Sequence, residues 1–332
     1  HGWDETRQRW IEEGLPVDVD EHEYFNAVRQ WYKFGANIHP FPPFEEETIE
    51  ETEEYRVFRD ETGVIQKDWK HKSSIPHYID FTLKQAKDWD EYKKRLQPDS
   101  RRIPDDIDEY IARAEASGIA IGFWCGSLMG YIRNWMGLEN MAFLMYDSRD
   151  TYADMVDTLA ELACWSIDQI IPKMNTVPDM GHCWEDICGK NGPMISPDVF
   201  RECVAPGYIK IRNKLEEYGI KLLSIDSDGD ISQLIEPWLD AGVNVQFPIE
   251  IGTWNADPMA FREKYGKELR IIGGLNKLEL EKGPAAIDAE IERRLPLMKD
   301  GGYIVMPDHL ITPAVSLDNY RYYLDRIRAL RF

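Results

Sequence analysis

The sequence predicts an α/β fold, a single (β/α)8 TIM barrel with an N-terminal helical and β-hairpin extension, on three observations. From residue 118 onward, short apolar runs alternate with amphipathic helical stretches, the rhythm of parallel βαβ units. No Gly-rich dinucleotide fingerprint follows any of these runs, which disfavours an open nucleotide-binding sheet. The chain has 332 residues, 43% of them hydrophobic, enough for one large barrel or two ordinary domains. No internal repeat or low-complexity linker divides it, so the single barrel is preferred.

In chain order, residues 1–117 are polar and charged and are expected to form an extension packed on the barrel, with residues 118–332 supplying its main part. The acidic run "FEEETIEETEEY" at 44–55 reads as a solvated helix face. After it, "YRVFRDETGVIQKDW" alternates apolar and polar residues around a Glu-Thr-Gly turn and predicts a β-hairpin. From Ile103, "IPDDIDEYIARAEASG" predicts a helix stopped by Gly118. Six strands follow: "IAIGFW" (119–124), "MGHCW" (180–184), "KLLSI" (221–225), "VNVQF" (243–247), "RIIGG" (270–274) and "YIVM" (303–306). Stretches such as "YADMVDTLAELACWSIDQIIPKM" and "AIDAEIERRLPLM" are the helices between them. A closed barrel then needs one or two strands from the N-terminal third, with "GANIHPF" as the place to look.

Composition excludes several classes of function. With 39 Lys and Arg against 60 Asp and Glu, the formal charge is −21, which repels a phosphate backbone and anionic lipid alike. Neither nucleic acid nor membrane is expected as a partner, and no run approaches the roughly 18 apolar residues that span a bilayer. No signal-like segment opens the chain, although its first residue is His1 rather than Met and leaves the natural start open. Five cysteines (Cys125, Cys164, Cys183, Cys188 and Cys203) form no CxxC pair and read as small core residues of a cytoplasmic protein.

In a barrel of this kind, polar residues at the C-terminal ends of strands are the active-site candidates. Reading each strand to its end gives Glu185 and Asp186, then Asp226 and Asp228, then Glu250, Asn276, Asp308 and His309. The most concentrated stretch is "LLSIDSDGDI", where alternation sends Asp226 and Asp228 to one side. Two like charges that close cost free energy unless a proton or a cation lies between them. A divalent metal resolves the repulsion, and Glu, Asp and His at about 2.0 to 2.2 Å are a common zinc set. A proton-sharing acid/base pair is the alternative. Plainer readings stand beside these. Asp226 or Asp228 could cap the following helix, although Asp230, directly before "ISQLIEPWL", fits that role best. His182, between Gly and Cys, reads equally as a satisfied core residue. Trp124, Tyr131, Trp135 and Trp254 line an aromatic pocket or are simply core; Arg133 binds a substrate carboxylate or forms a surface ion pair; Asn276 orients substrate or caps a loop.

The stretches "NGPMISPDVFRECVAPGYIKI", "SDGDI", "WLDAGVNVQFPIE", "DPMAFREKYGKELRIIGGLNK" and "GGYIVMPDHLITPAVSLDNYRYYLDRI" resemble the uroporphyrinogen decarboxylase-like superfamily. The resemblance covers roughly residues 118–330, with the motifs in order, and implies the single barrel. True uroporphyrinogen decarboxylases carry an Arg-rich N-terminal motif for the substrate's carboxylates, which this chain lacks. Its "ETRQRWIEEGLP" is similar instead to the branch of methyltransferases that exchange a methyl group with a corrinoid held on a separate protein, using zinc. In coenzyme M methyltransferases of that branch, zinc is held by a His-x-Cys pair, a C-terminal Cys and an acidic residue. Those positions match Asp226-Ser227-Asp228 and His309, with Glu185 as the acidic ligand. The resemblance therefore implies a metal at Glu185, Asp226, Asp228 and His309, with Glu185, Asp228 and His309 catalytic. Trp124, Tyr131, Arg133, Glu250 and Asn276 are the expected substrate contacts. Every thiolate is replaced, and a carboxylate and imidazole shell leaves zinc a stronger Lewis acid toward oxygen. The expected reaction is methyl transfer from a methyl ether or methoxylated aromatic to a corrinoid supplied by a partner protein. The alternative is a decarboxylase or lyase acting on a different small carboxylate substrate.

Overall fold

The structure, a computed structural model, describes residues 2–27, 31–71 and 76–332, so His1 lies outside it. Strands are numbered along the chain. The N-terminal part holds β1 (Tyr32–Phe34), β2 (Glu47–Glu51), β3 (Tyr55–Arg59), β4 (Val64–Trp69) and β5 (His77–Phe81). Then come β6 (Ile121–Gly126), β7 (Met180–Trp184), the two-residue β8 (Cys188–Gly189) and β9 (Gly192–Pro193), β10 (Leu223–Asp226), β11 (Val245–Ile249), β12 (Arg270–Leu275) and β13 (Tyr303–Pro307).

Seven of these, in the order β1-β6-β7-β10-β11-β12-β13, form one curled parallel sheet, the barrel wall. All six strands expected after residue 118 are there, each within two residues of the apolar run that predicts it. The N-terminal strand lies at Tyr32–Phe34, just ahead of "GANIHPF", so the barrel draws its first strand from within the first 117 residues. Beyond β13, Gly2 makes a parallel bridge to Ile311. Helices fill the crossovers, among them Ile107–Ser117, Arg149–Ile170, Ala205–Glu217 and Pro284–Asp300. Gly118 ends the first of these in a left-handed conformation, as a C-terminal stop requires.

Strand alternation sorts the wall into two faces. Phe123, Cys125, Cys183 and Ile225 face the helices and are no more than 1% exposed. Trp124, His182 and Ser224 are register partners across β6, β7 and β10, followed by Trp184, Asp226 and Phe247. This second set faces inward: the rings of His182 and Phe247 sit on non-neighbouring strands yet lie 6.3 Å apart, and Trp31 packs against both. The five cysteines are free thiols, and four are buried.

The first part of the chain differs from expectation in one element. The acidic run is not a helix face but the exposed strand β2, edge of a four-stranded antiparallel sheet β2-β3-β4-β5. Cross-strand partners explain it, because Glu47 meets Arg59 at 2.8 Å and Glu51 meets Lys70 at 2.7 Å, pairing that a sheet supplies and an isolated helix does not. The hairpin β3-β4 is as predicted, its turn held by Asp60 accepting from the amides of Thr62 and Val64. Tyr92 ties this sheet to the barrel by donating to the Thr62 carbonyl. No helix among the described residues is long and apolar enough to cross a membrane.

Two further ties fix the extension. The helix Asp4–Glu12 packs on the C-terminal helix Leu317–Ala329, where Trp10 stacks on Tyr320 and donates to the Val315 carbonyl. Arg102, 1% exposed, donates to the carbonyls of Asn37, His39, Arg95 and Gln97 and so joins the segment after β1 to the loop before Ile107. Removing that guanidinium leaves several carbonyls without donors inside the protein. Arg102→Ala is expected to lower the unfolding free energy by about 3 kcal/mol, read from urea melts, with Arg102→Lys recovering only part of it.

Candidate metal centre and active site

The stretch that concentrates charge in the sequence leaves the barrel at the end of β10. Gly229 sits at φ 81°, and a Cβ there would lie 2.4 Å from the Cys188 carbonyl oxygen, so the turn admits only glycine. Asp230 closes the next turn by accepting from the Ser232 amide at 3.0 Å. The helix itself starts at Ile235, after Leu234, so Asp230 shapes the approach rather than capping the helix.

Asp228 meets His309 from the end of β13, Oδ2 to Nε2 at 3.2 Å. Glu250, 4% exposed at the end of β11, completes the group: one donor atom from each of Asp228, Glu250 and His309 lies within 4.8 Å of the others. Glu250 is held by the Gly229 amide at 2.7 Å and the Thr253 hydroxyl at 2.9 Å, and forms no ion pair among the described residues. The hydrogen bond to Asp228 raises the His309 pKa. Two carboxylates and an imidazole at this spacing have the donor chemistry of a three-ligand divalent metal site with an open position. Trp3 stacks on the His309 ring at 5.9 Å.

The other candidate residues take different places. Asp226 points into the barrel, where burial and then the neighbouring Asp228 charge push its pKa up to about 7, against the pull of Lys33. It is not one of the three convergent donors. Glu185 is wholly buried elsewhere. Its oxygens accept from the Ser127 hydroxyl, from the amides of Leu128, Met129 and Gly130 at 2.6 to 2.8 Å, and from the Tyr208 hydroxyl. That carboxylate closes the N-terminus of the helix Gly130–Met136, and the approach is so tight that a Cβ on Gly130 would lie 2.3 Å from the Glu185 carbonyl oxygen. The acid that joins Asp228 and His309 is thus Glu250, expected as a substrate contact, in place of Glu185.

Arg133 is engaged rather than free, bonded to the Asp186 carbonyl, 3.6 Å from its carboxylate and stacked over Trp184. Tyr131 is 6% exposed, with its ring against His39 and Trp135. Trp124 faces the barrel interior beneath the Lys33 ammonium. His182 is the satisfied core residue of the plainer reading, bonded to the Ser224 hydroxyl at 2.7 Å and kept neutral because burial drops its pKa to about 3. A cleft of about 450 Å³ is lined by Lys190, Asp230, Trp254, Asn276 and Leu278 together with Ile251 and Thr253 from the loop that follows Glu250; the three donors themselves are not among its lining residues. Asn276 caps the turn that follows it, accepting from the Leu278 amide, and it also lines the cleft. Strand-end position marks Glu250 as readily as Glu185, and does not say which of the two joins Asp228 and His309. Nothing in the sequence marks Trp3, which reaches His309 only through the fold.

Asp226 makes stability depend on pH. Its folded pKa of about 7 lies above the ordinary 3.8, so the folded state binds the proton more tightly. Its contribution is therefore most favourable at low pH and is lost as pH rises toward 7. In metal-free protein, Asp226→Asn is expected to raise the melting temperature at pH 8 by several degrees while changing it little at pH 4, as scanning calorimetry would read.

A profile of the family described as uroporphyrinogen decarboxylase (URO-D) matches residues 79–330. No curated protein sequence matches the chain. Among solved structures, a methyltransferase from Methanosarcina mazei superposes with a TM-score of 0.56 at 12% identity, over 99% of this chain and 88% of that one. The likeness is one of fold. A Listeria monocytogenes protein named as a vitamin-B12 independent methionine synthase gives 0.33 at 13% identity, over 68% and 66%, too low to carry an argument. The profile spans well over half the chain, takes in β6 to β13 and includes all three convergent donors, and on that ground the chain belongs to the uroporphyrinogen decarboxylase family.

Proposed function

We propose that the protein is a metal-dependent methyltransferase that moves a methyl group from an oxygen-bearing donor, a methyl ether or methoxylated aromatic, to a corrinoid on a partner protein. The observation that carries this reading is the convergence of Asp228, Glu250 and His309, with a cleft lined by the loop that directly follows Glu250. These three residues would hold the metal, and zinc is the ion their donor set suits. When bound, zinc supplies Lewis acidity toward an ether oxygen, making the departing alkoxide or phenolate a better leaving group.

The chain's own residues do the rest. The Gly229 amide and Thr253 hydroxyl fix both oxygens of Glu250, so its direction is set before any ligand arrives. Trp3 limits rotation of the His309 ring. Trp254 and Leu278 give the cleft an apolar wall for a ring or methyl group, while Asn276 offers a polar contact. The carboxylate-rich surroundings disfavour a polyanionic substrate such as a porphyrinogen. A fold shared with a protein named as a methyltransferase is compatible with this reading.

A second reading, decarboxylation of a small carboxylate substrate, is favoured by the description of the family itself. The two part on the product. Purified protein is expected to hold about one zinc per chain by elemental analysis, and to transfer methyl from a methoxylated aromatic to free cob(I)alamin. Asp228→Ala and His309→Ala are expected to cut both zinc content and transfer at least about 100-fold, while Glu185→Gln lowers stability and leaves zinc bound. Metal-free wild-type protein, or carbon dioxide release without methyl transfer, would overturn the methyltransferase reading.

A further inference from the structure

Asp308 immediately precedes His309 and is wholly buried, yet it pairs with no cation among the described residues. A buried carboxylate is tolerated only when donors meet its oxygens. Here the donors are all backbone amides: Ile251 at 2.7 Å and Gly252 at 2.8 Å on one oxygen, and Lys277 at 3.0 Å on the other. Ile251 and Gly252 directly follow Glu250, and Lys277 directly follows Asn276. Glu250 in turn takes the amide of Gly229, which directly follows Asp228. A line of carboxylate-to-amide bonds therefore runs from β13 to the loops after β11 and β12, and on to the loop after β10. The neighbouring buried acid, Glu290, differs: it takes the Asn276 amide but is neutralised by Arg294 and Arg293. Among the buried acids of the described residues, only Asp308 is met by loop backbone amides alone.

We propose that Asp308 is a positioning residue that clamps the loops carrying Glu250 and Asn276 against His309 and, through Glu250 and Gly229, the loop carrying Asp228, so that the three donors converge. The proposal rests on the metal reading of those donors for its functional consequence, but the clamp itself is testable without metal.

In metal-free Asp308→Asn, amide exchange at Ile251, Gly252 and Lys277 is expected to quicken at least about 10-fold, with the rest of the barrel sheet unchanged. Zinc affinity, measured by competition with a chromophoric chelator, is expected to weaken about 10- to 100-fold. Arg102→Ala, which loosens the fold away from the cluster, is expected to leave zinc affinity unchanged. If Asp308→Asn does not fold, Lys277→Pro serves instead. It deletes one of the three donor amides at the first position of a short helix, where proline fits, and Asn276 already has an extended backbone suited to precede it. Compared with Lys277→Ala, it is expected to speed exchange at Ile251 and Gly252 and to weaken zinc binding. Unchanged exchange at the three amides overturns the clamp. So does equal loss of zinc affinity in Arg102→Ala, or unaltered zinc affinity in a variant whose loops have loosened. If wild-type protein binds no zinc, the metal reading fails, and the exchange result alone decides the clamp.

Discussion

Buried carboxylates answered by backbone amides hold the mouth of this barrel together. Glu185 gathers the amides ahead of the helix Gly130–Met136, and Asp308 gathers those after β11 and β12. An amide is fixed by the path of the main chain, so each such bond ties a loop to a strand end in one geometry. Lysine and arginine partners would do so less tightly, because their long side chains retain rotamer freedom. The donors that converge on one point do so because the loops bearing them have little room to move.

This distinction between acids that hold loops in place and acids that converge with His309 explains what could be read from the sequence. The strands of the wall were legible because burial on both faces requires continuous apolar runs such as "RIIGG" and "MGHCW". The rule that function sits at strand ends led to Asp228 and His309. The same rule ranks Glu185 and Glu250 alike. What separates them is a helix N-terminus brought to Glu185 by "GSLMG", a stretch with no signal of its own, and Asp228 and His309 brought to Glu250. The strand β2 was illegible for a related reason, since its cationic partners Arg59 and Lys70 are supplied by pairing across a sheet.

The composition of the donor set narrows the chemistry more than the fold does. The same barrel serves different reactions, and a site must be argued from its own groups. Oxygen and imidazole donors would leave a metal more electrophilic than thiolates would, which is the chemical ground for the proposed oxygen-bearing donor. Asp226 stands next to that set without joining it, and its raised pKa records first its burial and then the Asp228 charge close by.

Trp3, lying on His309, joins residues about three hundred positions apart, and Thr6 adds a bond to the Ile311 carbonyl at 2.7 Å. During synthesis the first of these residues leaves the ribosome long before the second. The imidazole and the tryptophan that restrains it can meet only when nearly the whole barrel has been made. Chains cut short before β13 thus lack His309, and a nascent chain passes through most of its synthesis before Asp228, Glu250 and His309 can come together.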